Sequence, residues 1–279
     1  MKKSLKALPW ADLHCHSTAS DGSLSPSELV LHAKDKGLKG LCLTDHDTLA
    51  GYLEAKVMAQ KIGIHLGVGV EFSCAFQGLD LHLIGYDIDI EAPSIQALCQ
   101  LHLQRRYERN QIILEKLSQE GMIFSLEALY QKYPGQMVGR PHIAKMMLER
   151  GYVKSIKEAF YRYIGEGKPF YAQGPSISVH ETLEVIRASG GKSFIAHPHL
   201  LQSNFPIEAL LQCPFNGIEC FYGNFSQDKG RYWAEIAEKK GWIVSGGSDF
   251  HGIIKPKIPL GIQGVDEKTF YQIFERHCV

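Results

Sequence analysis

The chain has 279 residues, 44% hydrophobic and 22% charged, with a formal net charge of zero. That composition fits one large α/β domain, or a domain with an insertion, and leaves enough chain for a sizeable core. A neutral total excludes long-range attraction to nucleic acid or to an anionic membrane, so a phosphate-bearing ligand would have to be gripped locally.

The seven cysteines are Cys15, Cys42, Cys74, Cys99, Cys213, Cys220 and Cys278, and no two of them are spaced C-x-x-C. They read as buried free thiols in a reducing compartment, not as a zinc knuckle or a disulfide framework. Met1-Lys2-Lys3 is not followed by an apolar stretch of signal length. No apolar run approaches the roughly 20 residues of a membrane span. A soluble, cytoplasmic protein with no membrane contact is expected, and nothing implies a protein partner.

In chain order, Trp10 to Cys15 reads as a strand. Ser25-Pro26-Ser27-Glu28 opens a helix, with Ser as cap, Pro at the first position and Glu at the third. That helix stops at Gly37. Gly40 to Leu43 reads as a strand, Leu49 to Ile62 as a helix, and His65 to Val70 and Leu79 to Gly85 as two more strands. From about Ala92 to Phe170 the pattern turns charged and amphipathic. Helices are expected at Leu98 to Leu117, Ile143 to Glu149 and Ile156 to Ile164. This is a helical insertion of about 80 residues, the size of a small domain. Alternation then resumes. Ser178 to Glu181 is a second capping box, opening a helix to Ala188. Strands follow at Ser193 to Ala196, Gly217 to Phe221 and Trp242 to Ser245, with helices at Gln227 to Lys240 and Glu267 to Arg276. Seven strands, mostly separated by helices, predict an α/β fold with much parallel pairing. The expected division is residues 1–91 and 171–279 as one discontinuous domain and residues 92–170 as the insertion.

The strand ends carry the chemistry. His14 and His16 end the first strand and Asp21 follows. Asp45, His46 and Asp47 end the second, Glu71 ends the third, and His82 lies in the fourth. His197 and His199 end the fifth, and Asp249 and His251 follow the last. In α/β barrels that rim is where active sites are built. Residues i and i+2 of a strand share a face, so His14 and His16 can chelate one ion while Cys15 packs inward. Asp249-x-His251 repeats the spacing. Taken singly, each has an ordinary reading. Asp47 before Thr48 suits a helix cap, Glu71 suits a strand end, and Asp249 suits a turn. Their conjunction on one rim argues for a metal cluster, and mixed imidazole and carboxylate sets suit Zn, Mn or Fe. His32, His65, His102, His180 and His277 are read as ordinary structural histidines.

These residues resemble the motifs of the PHP (polymerase and histidinol phosphatase) superfamily. Asp12-Leu13-His14-Cys15-His16-Ser17 with Ser20-Asp21-Gly22 resembles the first motif. Leu43-Thr44-Asp45-His46-Asp47 resembles the second and Gly69-Val70-Glu71-Phe72-Ser73 the third. Ala196-His197-Pro198-His199 and Gly247-Ser248-Asp249-Phe250-His251-Gly252 resemble the last two. In the insertion, Gly139-Arg140-Pro141-His142-Ile143-Ala144 resembles a bacterial subfamily. Its members include RNase AM-type 5′-to-3′ exoribonucleases and nucleoside 3′,5′-bisphosphate phosphatases.

The resemblance implies a distorted seven-stranded β/α barrel holding up to three divalent ions, Mn²⁺ first, with Fe²⁺ or Zn²⁺ as alternatives. By resemblance, His14, His16, Glu71 and Asp249 hold the first ion. Glu71 bridges to a second, also bound by His82 and His197. Asp21, His46 and His251 hold the third. Asp21 departs from the histidine common in the family and makes that site harder and more anionic. The implied substrate is a nucleotide or short RNA: the 3′-phosphate of a nucleoside 3′,5′-bisphosphate, or 5′-phosphorylated RNA. The expected chemistry is in-line attack on phosphorus by a metal-bound hydroxide. Arg140 would grip the phosphate with its planar fork. His142 would bind the same phosphate or protonate the leaving oxygen. Without the resemblance, Arg140 and His142 read as a simple helix start. Arg105, Arg106 and Arg109 read as a solvated face or an RNA contact, and Tyr107 and Tyr222 as base-stacking, core or surface groups. The competing readings are a histidinol-phosphate or other small-molecule phosphatase, an amidohydrolase-like barrel, and a non-catalytic metal-binding regulatory module. The Arg-Pro-His of the insertion disfavours the first. The second lacks a strand lysine here, and an open rim of ligands argues against the third.

Overall fold

A computed structural model describes residues 8–174, 176–276 and 278. His277 lies outside the described residues. The seven strands are β1 (Ala11–Cys15), β2 (Gly40–Leu43), β3 (His65–Phe76), β4 (Leu79–Tyr86), β5 (Lys192–Ile195), β6 (Gly217–Tyr222) and β7 (Ile243–Gly247). They form one sheet in sequence order. Pairing is parallel from β1 through β3 and again from β5 through β7, and antiparallel on both sides of β4. The sheet nearly closes on itself. Past β7, the Asp249 amide donates to the His14 carbonyl at 2.7 Å, and the His16 amide donates to the Phe250 carbonyl at 2.9 Å. The result is a distorted seven-stranded α/β barrel.

Around it run α1 (Pro26–Asp35), α2 (Tyr52–Ile62), α3 (Pro93–Gln119), α4 (Leu126–Lys132), α5 (Arg140–Glu149) and α6 (Ile156–Ala159). A π-helical turn (Phe160–Ile164) follows, then α7 (Val179–Ala188), α8 (Ile207–Leu210), α9 (Gln227–Lys240) and α10 (Glu267–Ile273). Both expected capping boxes form. Ser25 Oγ accepts from the Glu28 amide at 3.2 Å and Glu28 Oε2 from the Ser25 amide at 2.8 Å; Ser178 and Glu181 repeat the exchange at 3.2 and 2.8 Å. No described helix is long and apolar enough to cross a membrane.

Two expectations need correction. β3 does not end at Glu71 but runs on to Phe76, turns through Gln77 and Gly78, and returns as β4. Gln77 (φ 51°) and Gly78 (φ 82°) are both left-handed, as a tight two-residue hairpin of matching twist requires. Glu71 therefore sits mid-strand opposite Ile84, and Ser73 opposite His82. The second correction is at α2, which begins at Tyr52 behind Gly51 and not at Leu49. Asp47 does not cap it.

Helices α3 to α6 carry their own apolar cluster, including Ile113, Leu117, Leu129, Ile143, Met147 and Ile164. It is distinct from the clusters that line the sheet, for example Leu41, Leu66, Val70 and Phe72 beneath α1 and α2. The Met137 amide donates to the Ala19 carbonyl at 2.8 Å, which ties the α4–α5 connection to the loop leading to Asp21.

Candidate metal centre and its cavity

The strand ends bring all nine sequence candidates into one place. His14 and His16 project from the end of β1 with Cys15 buried between them. His14 Nε2 lies 3.3 Å from Glu71 Oε2 and 3.6 Å from Asp249 Oδ1. His16 Nε2 lies 3.2 Å from each of the same two oxygens. The ligand atoms of these four residues all fall within 4.8 Å of one another. The other oxygen of Glu71 faces a second pair, with His82 Nδ1 at 2.9 Å and His197 Nε2 at 2.7 Å. On the opposite side, Asp21 Oδ1 lies 3.3 Å from His251 Nε2 and Asp21 Oδ2 lies 3.8 Å from His46 Nε2. His16 and His46 are each in reach of two sets. His16 groups with Asp21, His46 and His251 as well as with Glu71 and Asp249, and His46 also groups with Glu71 and His82.

These residues fit divalent ions. His14 Nε2, both ring nitrogens of His16, Asp21 Oδ1, His46 Nδ1 and Glu71 Oε2 are buried without a hydrogen-bond partner. Buried polar atoms are nearly always bonded, and a convergent set of lone pairs left open is what bound cations satisfy. Burial alone would raise the Glu71 carboxyl, but the imidazoles of His82, His14 and His46 hold it well below the usual carboxylate range.

A surrounding layer, mostly missed by sequence reasoning, aims these ligands. Glu219 of β6 is fully buried. Its Oε1 lies 2.9 Å from His14 Nδ1 and its Oε2 accepts from the His197 amide at 2.8 Å. Asp249 Oδ2 accepts from the Tyr222 hydroxyl and from Lys255 Nζ, both at 2.6 Å, which leaves Oδ1 toward the histidines. Tyr222 is therefore a buried anchor, not a base-stacking platform. Asp45 accepts from the Ser17 amide (2.8 Å), the Ser17 hydroxyl (2.6 Å) and the Ser20 hydroxyl (2.6 Å), and so fixes the loop that carries Asp21. Asp47 accepts from the Ser73 amide at 2.6 Å and from Arg106 Nε at 2.7 Å. Asp47 (φ 58°), His197 (φ 26°) and Asp249 (φ 57°) all have left-handed backbones without being glycine. Such strain, on the order of 1–3 kcal/mol each, persists only where surrounding bonds over-determine it. His199 lies outside the cluster, its ring 5.2 Å from that of Phe225.

Beside His82 and His197 opens a cavity of about 260 Å³. Arg105, Arg106 and Arg109 of α3 and Arg140 of α5 also line it. The arginine stretch of α3 is thus turned into the molecule and is not a solvated face. Arg140 stacks over Tyr171, its guanidinium carbon 5.1 Å from the ring centre. His142 is fully buried at the first turn of α5, and its Nδ1 accepts from the Gly139 amide at 3.0 Å. It does not line the cavity. Tyr107 is exposed, its ring 5.1 Å from that of Tyr130.

A barrel whose strand ends bring imidazoles and carboxylates together beside a cavity that arginines also line defines a metal-dependent phosphoesterase. Residues 12–191 match the PHP domain, and the chain belongs to that family. It is 36% identical to a 5′-3′ exoribonuclease of Haemophilus influenzae, covering 86% of this chain and 89% of that protein. It is 31% identical to the 3′,5′-nucleoside bisphosphate phosphatase of Chromobacterium violaceum, covering 86% of each. Among solved structures, one described as a metal-dependent phosphoesterase from Bifidobacterium adolescentis superposes with a TM-score of 0.86 at 28% identity, over 96% of both chains.

Proposed function

We propose that this enzyme hydrolyses phosphate esters of nucleotides: the 3′-phosphate of nucleoside 3′,5′-bisphosphates, the terminal ester of 5′-phosphorylated short RNA, or both. The observation that carries this reading is the cavity itself, which joins the edge of the histidine and carboxylate cluster to four arginines. A mixed phosphate and nucleoside ligand suits it, because Leu200, Leu201 and Phe205 supply an apolar side. Full-length similarity to a bisphosphate phosphatase and to an exoribonuclease supports the same substrate class.

In this reading His14, His16, Glu71 and Asp249 hold one ion. Glu71, His82 and His197 hold a second, and Asp21, His46 and His251 hold a third. We take Mn²⁺ as the first candidate. When bound, such ions polarise phosphoryl oxygens and bring water within reach of ionisation near pH 7. The chain's own residues do the rest. Glu219 fixes the tautomer of His14, so that Nε2 faces the cluster. Arg140 offers a planar fork to the reacting phosphate, oriented by its stack on Tyr171. We assign His142 a positioning role in place of direct contact, since its ring holds the helix start that presents Arg140. We further propose residues 92–170 as a cap over the barrel formed by residues 1–91 and 171–279. The absence of disulfides among the described cysteines supports a reducing, cytoplasmic setting.

The test is phosphate release from adenosine 3′,5′-bisphosphate with Mn²⁺, with a chelator, and with His14→Ala. Release that requires both metal and His14 is expected. No release from a preparation with filled metal sites would move the substrate to another class of phosphate ester.

A further inference from the structure

The three carboxylates of the cluster are not held alike. Both oxygens of Glu71 face imidazoles, Oε1 those of His82 and His197 and Oε2 those of His14, His16 and His46. Both oxygens of Asp21 do the same, Oδ1 toward His251 and Oδ2 toward His46. Of the three, Asp249 alone has an oxygen taken up by a hydroxyl and an ammonium among the described residues. Its Oδ2 accepts from the Tyr222 hydroxyl and from Lys255 Nζ, each at 2.6 Å. Its Oδ1 lies 3.2 Å from His16 Nε2 and 3.6 Å from His14 Nε2.

The donors and the acceptor are each fixed from behind. Tyr222 is buried on β6, its ring 5.3 Å from that of His197 and 5.7 Å from that of Phe225. Lys255 follows a single helical turn (Gly252–Ile254) that is pinned where the Ile253 amide donates to Ser23 Oγ at 3.0 Å. The Lys255 carbonyl accepts from the Ile258 amide at 3.0 Å. Asp249 is held through its backbone, with φ of 57° and its amide on the His14 carbonyl. Both bonds to Oδ2 are charge-assisted, the short and strong kind. An ionised carboxylate offers about two lone-pair sites on each oxygen, and Oδ2 has both in use. Asp249 is therefore left with one oxygen to give a cation, not two.

Two consequences point the same way. Ca²⁺ gathers about six to eight oxygen ligands and often takes a carboxylate through both oxygens. The set of His14, His16, Glu71 and Asp249 brings imidazoles in place of oxygens, and its Asp249 is restricted to Oδ1. The Lys255 ammonium also offsets the negative charge of Asp249. Hard cations depend on ligand charge more than do ions that bind imidazole well. Resting on the reading in which these four residues hold one ion, we propose that Tyr222 and Lys255 form a clamp that sets which cation the site accepts. By withholding Oδ2 of Asp249, the clamp favours Mn²⁺, Fe²⁺ or Zn²⁺ over Ca²⁺. Tyr222 and Lys255 are positioning residues in this scheme and act through Asp249.

Metal titration tests this without requiring turnover. Metal-free enzyme is titrated separately with Mn²⁺ and with Ca²⁺ by calorimetry, and the binding step lost in Asp249→Asn marks the site of Asp249. At that step the wild type should bind Mn²⁺ far more tightly than Ca²⁺. The ratio of the two dissociation constants should shrink by about tenfold or more in the double variant Tyr222→Phe with Lys255→Met, the scale on which groups behind a ligand act. Lys255→Arg, which keeps a charged donor, should hold the ratio near that of the wild type. A ratio lost in Lys255→Arg as fully as in the double variant would show that packing acts in place of charge, and would overturn the clamp. Equal weakening of both ions in the double variant leaves the ratio unchanged and would mark the pair as merely structural, which also overturns it. If the double variant melts well below the wild type, the single variants Tyr222→Phe and Lys255→Met are read in its place, and an unchanged ratio in both overturns the proposal. A wild type that binds Ca²⁺ as tightly as Mn²⁺ would remove the clamp and leave the metal site standing. A wild type that binds neither ion would remove the metal reading itself.

Discussion

Glu219 touches two of the candidate ligand residues at once, the ring of His14 and the backbone of His197. A buried carboxylate behind a ligating imidazole fixes its orientation and raises its basicity. Glu219→Ala should therefore weaken metal binding by about 10- to 100-fold, read as the free-ion concentration for half-occupancy. An unchanged affinity would deny it that role. Two histidines outside the cluster make a pH prediction. Burial first, then nearby cations, push His102 and His142 each down to about 4, and for His102 this outweighs its 3.3 Å approach to Asp47. In the unfolded chain an imidazole takes its proton near pH 6.5. Between about pH 6.5 and 4 the unfolded state thus binds more protons, and stability falls as pH drops through that window. Denaturant unfolding should show the wild type losing more stability over this range than His102→Asn; equal losses would contradict the assignment.

At the scale of elements, local chemistry was legible where it is self-contained. Ser178 and Glu181 bond each other, so the box could be read without knowing the fold. Ser178→Ala should cost about 0.5–2 kcal/mol in unfolding free energy, and a change within error would mean the cap is redundant. β2 and α9 were delimited by their own apolar runs and glycines. β3 was not, because its second half owes its strand character to pairing with β4. Glu71 and Ser73 face the site while Phe72, Cys74 and Phe76 face the core. That alternation is broken by Ala75 and looks weak in isolation. His14, His16, Asp249 and His251 were legible because the i, i+2 spacing is local, whereas Glu71 and His82 sit within β3 and β4 and owed their assignment to the resemblance. Glu219 was not legible, since it matters only through partners far along the chain, such as His14, 205 positions away. The arginines of α3 were misjudged for a related reason. A helix face cannot be called solvated or buried until its packing partner is known.

Across the whole molecule, the barrel supplies the cluster and the inserted helices supply the cations, and the cavity exists only where the two meet. The Arg106–Asp47 ion pair joins α3 to the residue next to His46, so these helices are registered against the cluster itself. This division of labour separates two functions that a single mutation can tell apart. Metal content and phosphate release from adenosine 3′,5′-bisphosphate, measured on the same preparation of Arg140→Ala, test it most directly. The account predicts full metal content with turnover lowered by about a hundredfold or more, as expected when a transition-state phosphate contact is removed. Activity within twofold of wild type would contradict it, and so would metal lost in step with activity.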